Sequence, residues 1–399
     1  HLMTAQPLSE RASGVLLHPT SLPSGQLDAD VYRWLDFLAD SCQHVWQVLP
    51  LGIPAMGNSP YQCLSAFAAN TKLLPPQLNI PIDPDADGYL KWKHQQSYWL
   101  QDFALFSILK DMNDNIPWYR WPKPMRDRNP HELDRIVDKY DDLLEQIKWH
   151  QFLVHKTWKD IRHAAHNRQI HIFGDMPIFV AHDSADVWAH PEYFMLNETG
   201  QPRWVTGVPP DYFSETGQRW GNPQYNWQVM LENKFSWWLQ RLEHHFQWFD
   251  LVRIDHFRGL EAVWMIDADC ETAIDGHWEK TPGNRLLQVL QETMGSIPLV
   301  AEDLGVITPE VTALRQQFKL PGMSILQFAF DAFEDNPHKP ANITRDRIVY
   351  SGTHDNNTTV GWYQSLAENE QKFVRETLGI SPGKDIVDAI VESAMNSEA

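Results

Sequence analysis

The sequence has little of several features that mark common protein classes. Only three of its 399 residues are cysteines, Cys42, Cys63 and Cys270, and no two of them have CxxC spacing. Such a sparse, odd-numbered set gives no disulfide framework or zinc ribbon and is typical of a reducing compartment. There is no run of eighteen apolar residues, and the N-terminal stretch HLMTAQPLSERASG lacks the apolar segment of a signal peptide. The sequence therefore predicts a soluble protein that stays in the cytoplasm.

Basic residues are also scarce. The chain has 33 Lys and Arg against 52 Asp and Glu, which gives a formal net charge of -19 at pH 7. Binding to nucleic-acid phosphates or to an anionic membrane surface requires clustered positive charge. We therefore expect neither nucleic acid nor membrane as a partner, and the oligomeric state stays open.

What the sequence does contain is an alternation of apolar runs with helical patterns. The seven runs are GVLLHPTSLP, HVWQVLPLG, IHIFGDMPIFV, DLVRIDHF, PLVAEDLG, GMSILQFAFD and RIVYSGTHDN. This alternation predicts βαβ units and a parallel sheet, and no GxGxxG motif supports a dinucleotide fold. Each run ends in polar residues, as expected where the strands of a barrel carry the chemistry at their C-terminal ends. We therefore expect an α/β fold of the (β/α)₈ TIM-barrel type.

Two stretches interrupt this alternation. Residues 83–150 combine charged and Trp-rich segments with helical spacing, which predicts a helical insertion subdomain. Residues from about 183 to 225 are rich in Pro, Gly, Asn and aromatics, which predicts an irregular insertion that acts as a lid or binding loop. The barrel itself is then expected to comprise residues 1–82 and 151–399.

Charged residues end the predicted strand in FDLVRIDHFRG. Leu251, Arg253 and Asp255 share one face of this strand, while Val252 and Ile254 share the other. If the apolar pair faces the outer helices, Arg253 and Asp255 point into the mouth of the barrel. An arginine keeps a neighbouring carboxylate ionised, as a carboxylate nucleophile requires. A structural ion pair at a strand end is the alternative interpretation.

Three further acids end other predicted strands: Asp175 in IFGD, Glu302 in LVAE and Asp355 in SGTHDN. Carboxylates that converge on one rim raise one another's pKa, so such a group indicates a functional site. Retaining glycoside chemistry needs one ionised carboxylate and one protonated carboxylic acid. Asp255 suits the first role, and Glu302, which follows the apolar PLVA, suits the second because desolvation raises its pKa.

A metal site is the rival hypothesis for the same part of the chain. Its candidate ligands are His18, Asp175, His182, Asp255, His256 and His354. No His-x-His pair follows the first predicted strand, and no HExxH motif occurs. The sequence therefore favours carboxylate chemistry without a metal.

Long motifs resemble those of the 4-α-glucanotransferases of glycoside hydrolase family 77. They include GVPPDYFSETGQRWGNPQYNW, LVRIDHFRG, AEDLG and SGTHDNNTTVGWY, together with LLHPTSLPS, GNSPYQ and GDMPIFVAHDSADVW, and they run nearly from end to end. The resemblance implies a cofactor-free barrel enzyme. Such an enzyme cuts an α-1,4-glucan donor and passes the glucanosyl unit to the 4-hydroxyl of an acceptor sugar.

The resemblance also implies roles for individual residues. Asp255 matches the nucleophile, Glu302 the general acid/base, and Asp355 the third acid that grips the hydroxyls of the reacting sugar. The residues that match sugar contacts are Tyr61, Asp175, Tyr212, Phe213, Trp220, Arg253, His354 and, on the acceptor side, Asp331.

One departure from the family pattern leaves alternatives open. Family members continue with an eighth strand and a Met-Asn-Pro-Gly-like turn that adds an asparagine to the site, whereas this chain reads AIVESAMNSEA at its end. The expectation is a gap between the strand in RIVYSGTHDN and the strand in GVLLHP. A retaining α-glucan hydrolase, or a glucan-binding protein with little turnover, is the alternative to the transferase.

Overall fold

The computed structural model describes residues 6–55 and 57–399. The first five residues, where the N-terminal prediction of no export signal begins, lie outside the described residues. The described strands are β1 (Gly14–Leu16), β2 (Val45–Gln47), β3 (His171–Pro177), β4 (Trp204–Val208), β5 (Gln218–Pro223), β6 (Leu251–Asp255), β7 (Ala262–Asp267), β8 (Gly276–Lys280), β9 (Leu299–Ala301), β10 (Gly322–Ile325) and β11 (Arg347–Tyr350).

The described helices surround these strands or extend from them. They are α1 (Ala29–Asp40), α2 (Tyr89–Gln95), α3 (Leu100–Met112), α4 (Lys123–Arg126), α5 (Pro130–Lys139), α6 (Asp141–Asn167), α7 (Ala185–Ala189), α8 (Trp227–Glu232), α9 (Ser236–Trp248), α10 (Gly283–Met294), α11 (Pro309–Gln317), α12 (Thr359–Ser365), α13 (Glu368–Leu378) and α14 (Ile386–Met395). None of the described helices combines the length and the apolarity that crossing a bilayer requires.

The seven predicted strands are all present, and each strand pair that forms among them is parallel. Strands β1, β2, β3, β6 and β9 form one parallel sheet, and β10 pairs with β11. The Ala301 N–H donates a 2.8 Å hydrogen bond to the Pro321 carbonyl and so joins β9 to the start of β10. This confirms the α/β barrel. Within residues 6–55 and 57–399, no strand pairs with the outer edge of β1 or of β11.

The two faces of β6 differ as the sequence predicts. Val252 and Ile254 are buried in the large core that the strands share with the helices, whereas Leu251 packs with Phe173 and Val300 in a smaller cluster. Alternate residues of a strand share a face, so this smaller cluster marks the barrel interior and Arg253 lies on the same side. The core therefore holds β6 in the register that turns its charged residues inward.

Strand β3 brings Asp175 beside Arg253 by close packing of its backbone. Gly174 pairs with Val252, and Asp175 pairs with Arg253. A Cβ placed on Gly174 would lie only 2.3 Å from the Phe249 ring. Glycine is therefore required where β3 passes this ring, although it weakens most strands.

Asp250 anchors the start of β6. Its carboxylate accepts hydrogen bonds from the Ile172 N–H at 2.8 Å, from Arg162 Nη2 at 2.8 Å and from His166 Nε2 at 2.9 Å. Burial opposes ionisation, yet His166 and Arg162 together lower the pKa of Asp250 to about 2. One charged side chain thus ties α6 and β3 to the strand that carries Arg253.

Residues 83–150 form helices, as predicted, and the described residues there contain no strand. The predicted boundary at residue 150 falls inside α6. The first part of α6 contacts the insertion, since Trp149 and Phe152 pack on Tyr89. Its later part contacts the barrel, since Trp158 packs on Trp46 of β2. This helix therefore belongs to both units.

The stretch 183–225 is more regular than the predicted irregular insertion. It contains α7, β4 and β5, and an antiparallel sheet forms in the order β5-β4-β7-β8. The pairing of β4 with β5 shifts register between Val205 and Gly207. Glycine, proline and this irregularity hide the alternation of apolar and polar residues that marks a strand. Strands β7 and β8 were not predicted either.

Candidate active site

Arg253 lies at the centre of the site and bridges two carboxylates. Its Nη1 donates to both oxygens of Asp175, at 2.9 and 3.0 Å, and its Nη2 lies 3.1 Å from Asp255 Oδ1. The side chains of Arg253 and Asp175 are only 3% and 1% exposed. At this depth the three groups depend on one another, because removing one leaves a buried charge without its partner.

Asp255 reaches out of this buried pair toward the mouth of the barrel. Burial raises its pKa to about 6, and the Asp175 and Asp355 carboxylates add to that rise while Arg253 opposes it. A carboxyl group of this pKa is ionised at neutral pH. At neutral pH the site therefore presents a charged Asp255 carboxylate, one oxygen of which is paired with Arg253.

Glu302 follows β9, the neighbour of β6. Burial raises its pKa to about 8; the Asp255 carboxylate adds to the rise, and Arg253 opposes it. One carboxylate oxygen, Oε2, accepts a 2.9 Å hydrogen bond from the His256 N–H. At neutral pH the two neighbouring strands thus hold one ionised and one protonated carboxyl group, which is the division of roles that paired acids need.

A chain of hydrogen bonds extends from Asp175 to the other side of the site. The Tyr61 hydroxyl donates to Asp175 Oδ2 at 2.5 Å, and the Tyr61 hydroxyl oxygen itself lies 2.8 Å from His354 Nε2. Because the single hydroxyl proton is directed to Asp175, the Tyr61 oxygen accepts from a protonated Nε2 of His354. That Nε2 also lies 3.4 Å from Asp355 Oδ1. Burial lowers the pKa of His354, while the Asp355 and Asp175 carboxylates oppose that shift.

A pair of side-chain amides holds the Tyr61 segment in place. Gln62 Nε2 donates to Asn222 Oδ1 at 3.1 Å, and Asn222 Nδ2 donates back to Gln62 Oε1 at 3.2 Å. Asn222 Nδ2 also donates to the Val180 carbonyl at 2.9 Å. These residues were not predicted. The signal for them is their position, since Gln62 follows Tyr61 in GNSPYQ and Asn222 follows Trp220 by two residues.

The predicted aromatic contacts are placed very differently. Trp220 is half-buried, and its ring meets the His256 ring edge-on with 4.8 Å between centroids. Tyr212 and Phe213, by contrast, are 97% and 92% exposed. Trp220 is thus part of the built site, whereas the other two rings project into solvent.

Asp331 belongs to a separate loop after β10. Its oxygens accept from Asn336 Nδ2 at 3.0 Å and from the Phe333 N–H at 3.1 Å, and Lys339 Nζ lies 3.4 Å away. The structure therefore connects six predicted residues directly. Glu302 and Trp220 lie beside that network and both contact His256, whereas Asp331, Tyr212 and Phe213 lie outside it. The connected residues are Tyr61, Asp175, Arg253, Asp255, His354 and Asp355.

Two histidines of the rival metal hypothesis have other partners. His182 stacks on Tyr119 with 3.9 Å between centroids and hydrogen-bonds the Gly200 carbonyl, and His18 Nδ1 accepts from the Leu49 N–H. Among the described residues, no group of three or more His, Cys, Asp or Glu side chains is arranged to hold a metal ion.

Comparison with known proteins shows which family this chain resembles. A family model described as 4-alpha-glucanotransferase, glycoside hydrolase 77, matches residues 16–85 and 80–399. The 4-alpha-glucanotransferase of Thermus thermophilus is 44% identical over 417 residues, which cover 92% of this chain and 83% of that protein. The 4-alpha-glucanotransferase of a Synechocystis strain is 42% identical, with 98% of this chain and 88% of that protein covered.

A solved structure is similar over nearly the whole fold. The amylomaltase of Streptococcus agalactiae in complex with acarbose superposes with a TM-score of 0.91 at 32% identity, covering 98% of this chain and 88% of that one. Together with the family match and the two relatives, this shows that the chain belongs to the 4-alpha-glucanotransferases of glycoside hydrolase family 77.

Proposed function

We propose that this chain is a retaining 4-α-glucanotransferase that acts on α-1,4-glucans, with Asp255 as nucleophile and Glu302 as acid and base. The observation that carries the proposal is the pairing on adjacent strands of an arginine-bound, ionised Asp255 with a desolvated Glu302 that keeps its proton at neutral pH. The names of the relatives identify the class of substrate.

In the first step, an Asp255 oxygen attacks the anomeric carbon while the bond from that carbon to the glycosidic oxygen breaks. The Glu302 proton moves to the departing oxygen, which leaves as the new 4-hydroxyl of the shortened glucan. The products are a covalent glucanosyl–Asp255 ester and a Glu302 carboxylate. This step inverts the configuration of the anomeric carbon.

In the second step, Glu302 takes the proton from the 4-hydroxyl of an acceptor sugar. The acceptor oxygen attacks the anomeric carbon, and Asp255 departs as a carboxylate. Two inversions give net retention. We expect the Asp255 and Glu302 carboxyl groups to lie about 5–5.5 Å apart when a glucan is bound, as this mechanism requires.

We further propose that the remaining predicted residues bind the sugars. Asp355 binds hydroxyls of the reacting sugar and stabilises the transition state, and Asp175, Arg253, His354 and Tyr61 surround the same ring through the network that joins them. Trp220, Tyr212 and Phe213 offer apolar faces to glucose units, and Asp331 serves the acceptor side. Closure of the two exposed rings over the glucan would exclude water and favour transfer.

We also propose the division of the chain that the sequence suggests, with a barrel of residues 1–82 and 151–399, a helical insertion at 83–150 and a lid-like insertion near 183–225. The free thiols of Cys42, Cys63 and Cys270 support a cytoplasmic location.

Incubation with maltotriose tests the proposed reaction. A transferase yields longer maltooligosaccharides together with glucose, whereas a hydrolase yields glucose and maltose without longer products. Binding of acarbose in calorimetry with no product of either kind would support the alternative of a glucan-binding protein. The enzyme names of the relatives favour transfer.

A further inference from the structure

The end of β6 and the loop after it hold Glu302 through three backbone groups. The Glu302 N–H donates to the Ile254 carbonyl at 3.1 Å, and the Phe257 N–H donates to the Glu302 carbonyl at 3.2 Å. Between them, the His256 N–H donates to the side-chain oxygen Oε2 at 2.9 Å. The backbone of Glu302 is therefore held at both its N–H and its carbonyl, and the His256 N–H orients its carboxyl group.

His256, which supplies this amide, has an unusual backbone conformation. His256 has φ 59° and ψ 50°, in the left-handed region. Side chains with a branched Cβ are strongly disfavoured there, whereas glycine, asparagine and, to a smaller degree, histidine are tolerated. This residue directly follows Asp255, and the amides of residues 256 and 257 both donate to Glu302.

The His256 ring is packed among neighbouring residues. It packs edge-on against Trp220, with 4.8 Å between centroids, and against Phe179 at 6.0 Å. A Cβ on Gly259 would lie 3.2 Å from the ring atom Cδ2, so the next turn is packed closely against it. Burial and the neighbouring Arg258 lower the pKa of His256 to about 3. The imidazole is therefore neutral over the working range and exchanges no proton with the substrate.

We infer that His256 is a positioning residue which selects the proton-bearing oxygen of Glu302. An amide N–H that occupies Oε2 leaves Oε1 as the oxygen that carries and exchanges the proton, because a protonated Oε2 would turn its hydroxyl group against a donor. The inference rests on the proposed role of Glu302 as acid and base.

The same bond affects the titration of Glu302. A donor to the carboxylate stabilises its charged form and so lowers the pKa of the acid, against the larger effect of burial. The other charged groups that act on Glu302 are Asp255 and Arg253 on β6 and Asp303 beside it. Loss of the amide would therefore raise the pKa of Glu302 further and move the alkaline limit of the first step to higher pH.

The test compares two variants that both remove the imidazole, His256→Asn and His256→Val. Asparagine accepts the left-handed conformation, and valine does not. The measurement is the single-turnover rate of the first step over a range of pH, with maltotriose and with a maltosyl fluoride, whose leaving group needs no proton.

We expect the first-step rate of His256→Asn on maltotriose to stay within roughly fivefold of that of the unsubstituted protein, since the backbone N–H of residue 256 still reaches Glu302 Oε2. We expect His256→Val to lose about 10–100-fold on maltotriose, because the lost hydrogen bond stabilises the negative charge that Glu302 gains as its proton leaves. The alkaline limit of His256→Val should move up, and its rate on maltosyl fluoride should be nearly retained. Acarbose calorimetry checks that each variant is folded.

Several outcomes would overturn the inference. Equal losses in the two variants would show that the ring and not the backbone matters, and a folded His256→Asn with a large loss would show the same without the valine variant. Equal losses on both donors with an unmoved alkaline limit would show a merely structural role. If Glu302→Gln retained disproportionation, the proposed function itself would fail, which is a separate result.

Discussion

Two regions of the candidate site differ in how completely the protein builds them before a glucan binds. The inner wall consists of the buried Asp175 and Arg253 and the half-buried Tyr61, whose polar groups are joined by hydrogen bonds of 2.5 to 3.0 Å. The exposed rim consists of Tyr212 and Phe213, whose aromatic rings are almost fully open to solvent. The side chains of the wall are held in place by hydrogen bonds to one another. The side chains of the rim have few contacts within the protein.

This difference separates two kinds of contribution to catalysis. Groups already fixed around a developing charge need no reorganisation during the reaction and act mainly on kcat. Exposed side chains lose freedom when they close over a ligand, and that cost offsets part of what their contacts contribute. We therefore expect substitutions in or next to the wall to lower kcat strongly, and substitutions in the rim to change affinity and product distribution.

The largest effect is expected at the carboxylate that the wall supports. Asp255→Asn should lower kcat by about 10⁴-fold or more, because the amide fills the same space but cannot attack the anomeric carbon. Binding of acarbose, measured by calorimetry, should remain. Turnover close to that of the unsubstituted protein would remove Asp255 as the nucleophile.

Glu302→Gln should be the next most severe change. With maltooligosaccharides, kcat should fall by roughly 10²–10⁴-fold, since the leaving oxygen no longer receives a proton. With a maltosyl fluoride, the first step should be largely retained. A similar loss on both kinds of donor would contradict the assignment of Glu302 as the acid.

A matched pair of hydroxyl deletions tests the comparison directly. Tyr61→Phe removes a hydroxyl that bridges Asp175 and His354, and we expect kcat to fall by about 10–100-fold because a buried carboxylate loses a partner. Tyr212→Phe removes a hydroxyl from an exposed ring and should change kcat less than about twofold. Steady-state kinetics with maltotriose measure both, and equal effects would end the distinction between wall and rim.

The pH dependence of the first step should follow the two raised pKa values. Asp255 must be ionised, so the rate should fall as the pH drops below about 6, and Glu302 must be protonated, so it should fall again above about 8. Each limb should approach about a tenfold change per pH unit, with apparent values that belong to the coupled pair. A profile that stays flat up to pH 10 would contradict the raised pKa of Glu302.

The smallest effect is expected in the rim. Phe213→Ala, alone or with Tyr212→Ala, should leave the melting temperature unchanged, because both rings are exposed and pack on little else. The ratio of transfer to hydrolysis should drop by roughly two- to fivefold if the rings help to exclude water. Glucose release measured against longer products would show this, and an unchanged ratio would argue against a lid.

The sequence predicted the parts of the fold that depend on strong local patterns. All seven parallel strands were predicted because each is a short apolar run followed by polar residues, and the inward orientation of Arg253 followed from the two-residue period of β6. Strands β4 and β5 were missed, since Gly207 and the shifted pairing beside it break that period. Strands β7 and β8 were missed as well.

The site was predicted residue by residue only where a motif or a strand end marked it. Asp175 and Arg253 fit their predicted positions because strand ends converge in a barrel. The amide pair of Gln62 and Asn222, and the left-handed turn at His256, depend on contacts between distant segments that no local pattern records. Tyr212 and Phe213 were predicted as contacts, and their exposure follows from a loop conformation that the sequence does not specify.

The close approach of β3 to Phe249 limits which sequences this barrel can use. A Cβ at position 174 would enter the Phe249 ring, and the residues on either side carry the interior contact of Phe173 and the carboxylate of Asp175. A library with all residues at position 174, selected for growth on maltooligosaccharides, should therefore return glycine alone. When position 249 is randomised together with position 174, alanine at 174 should appear only beside smaller side chains at 249, so that the two positions covary.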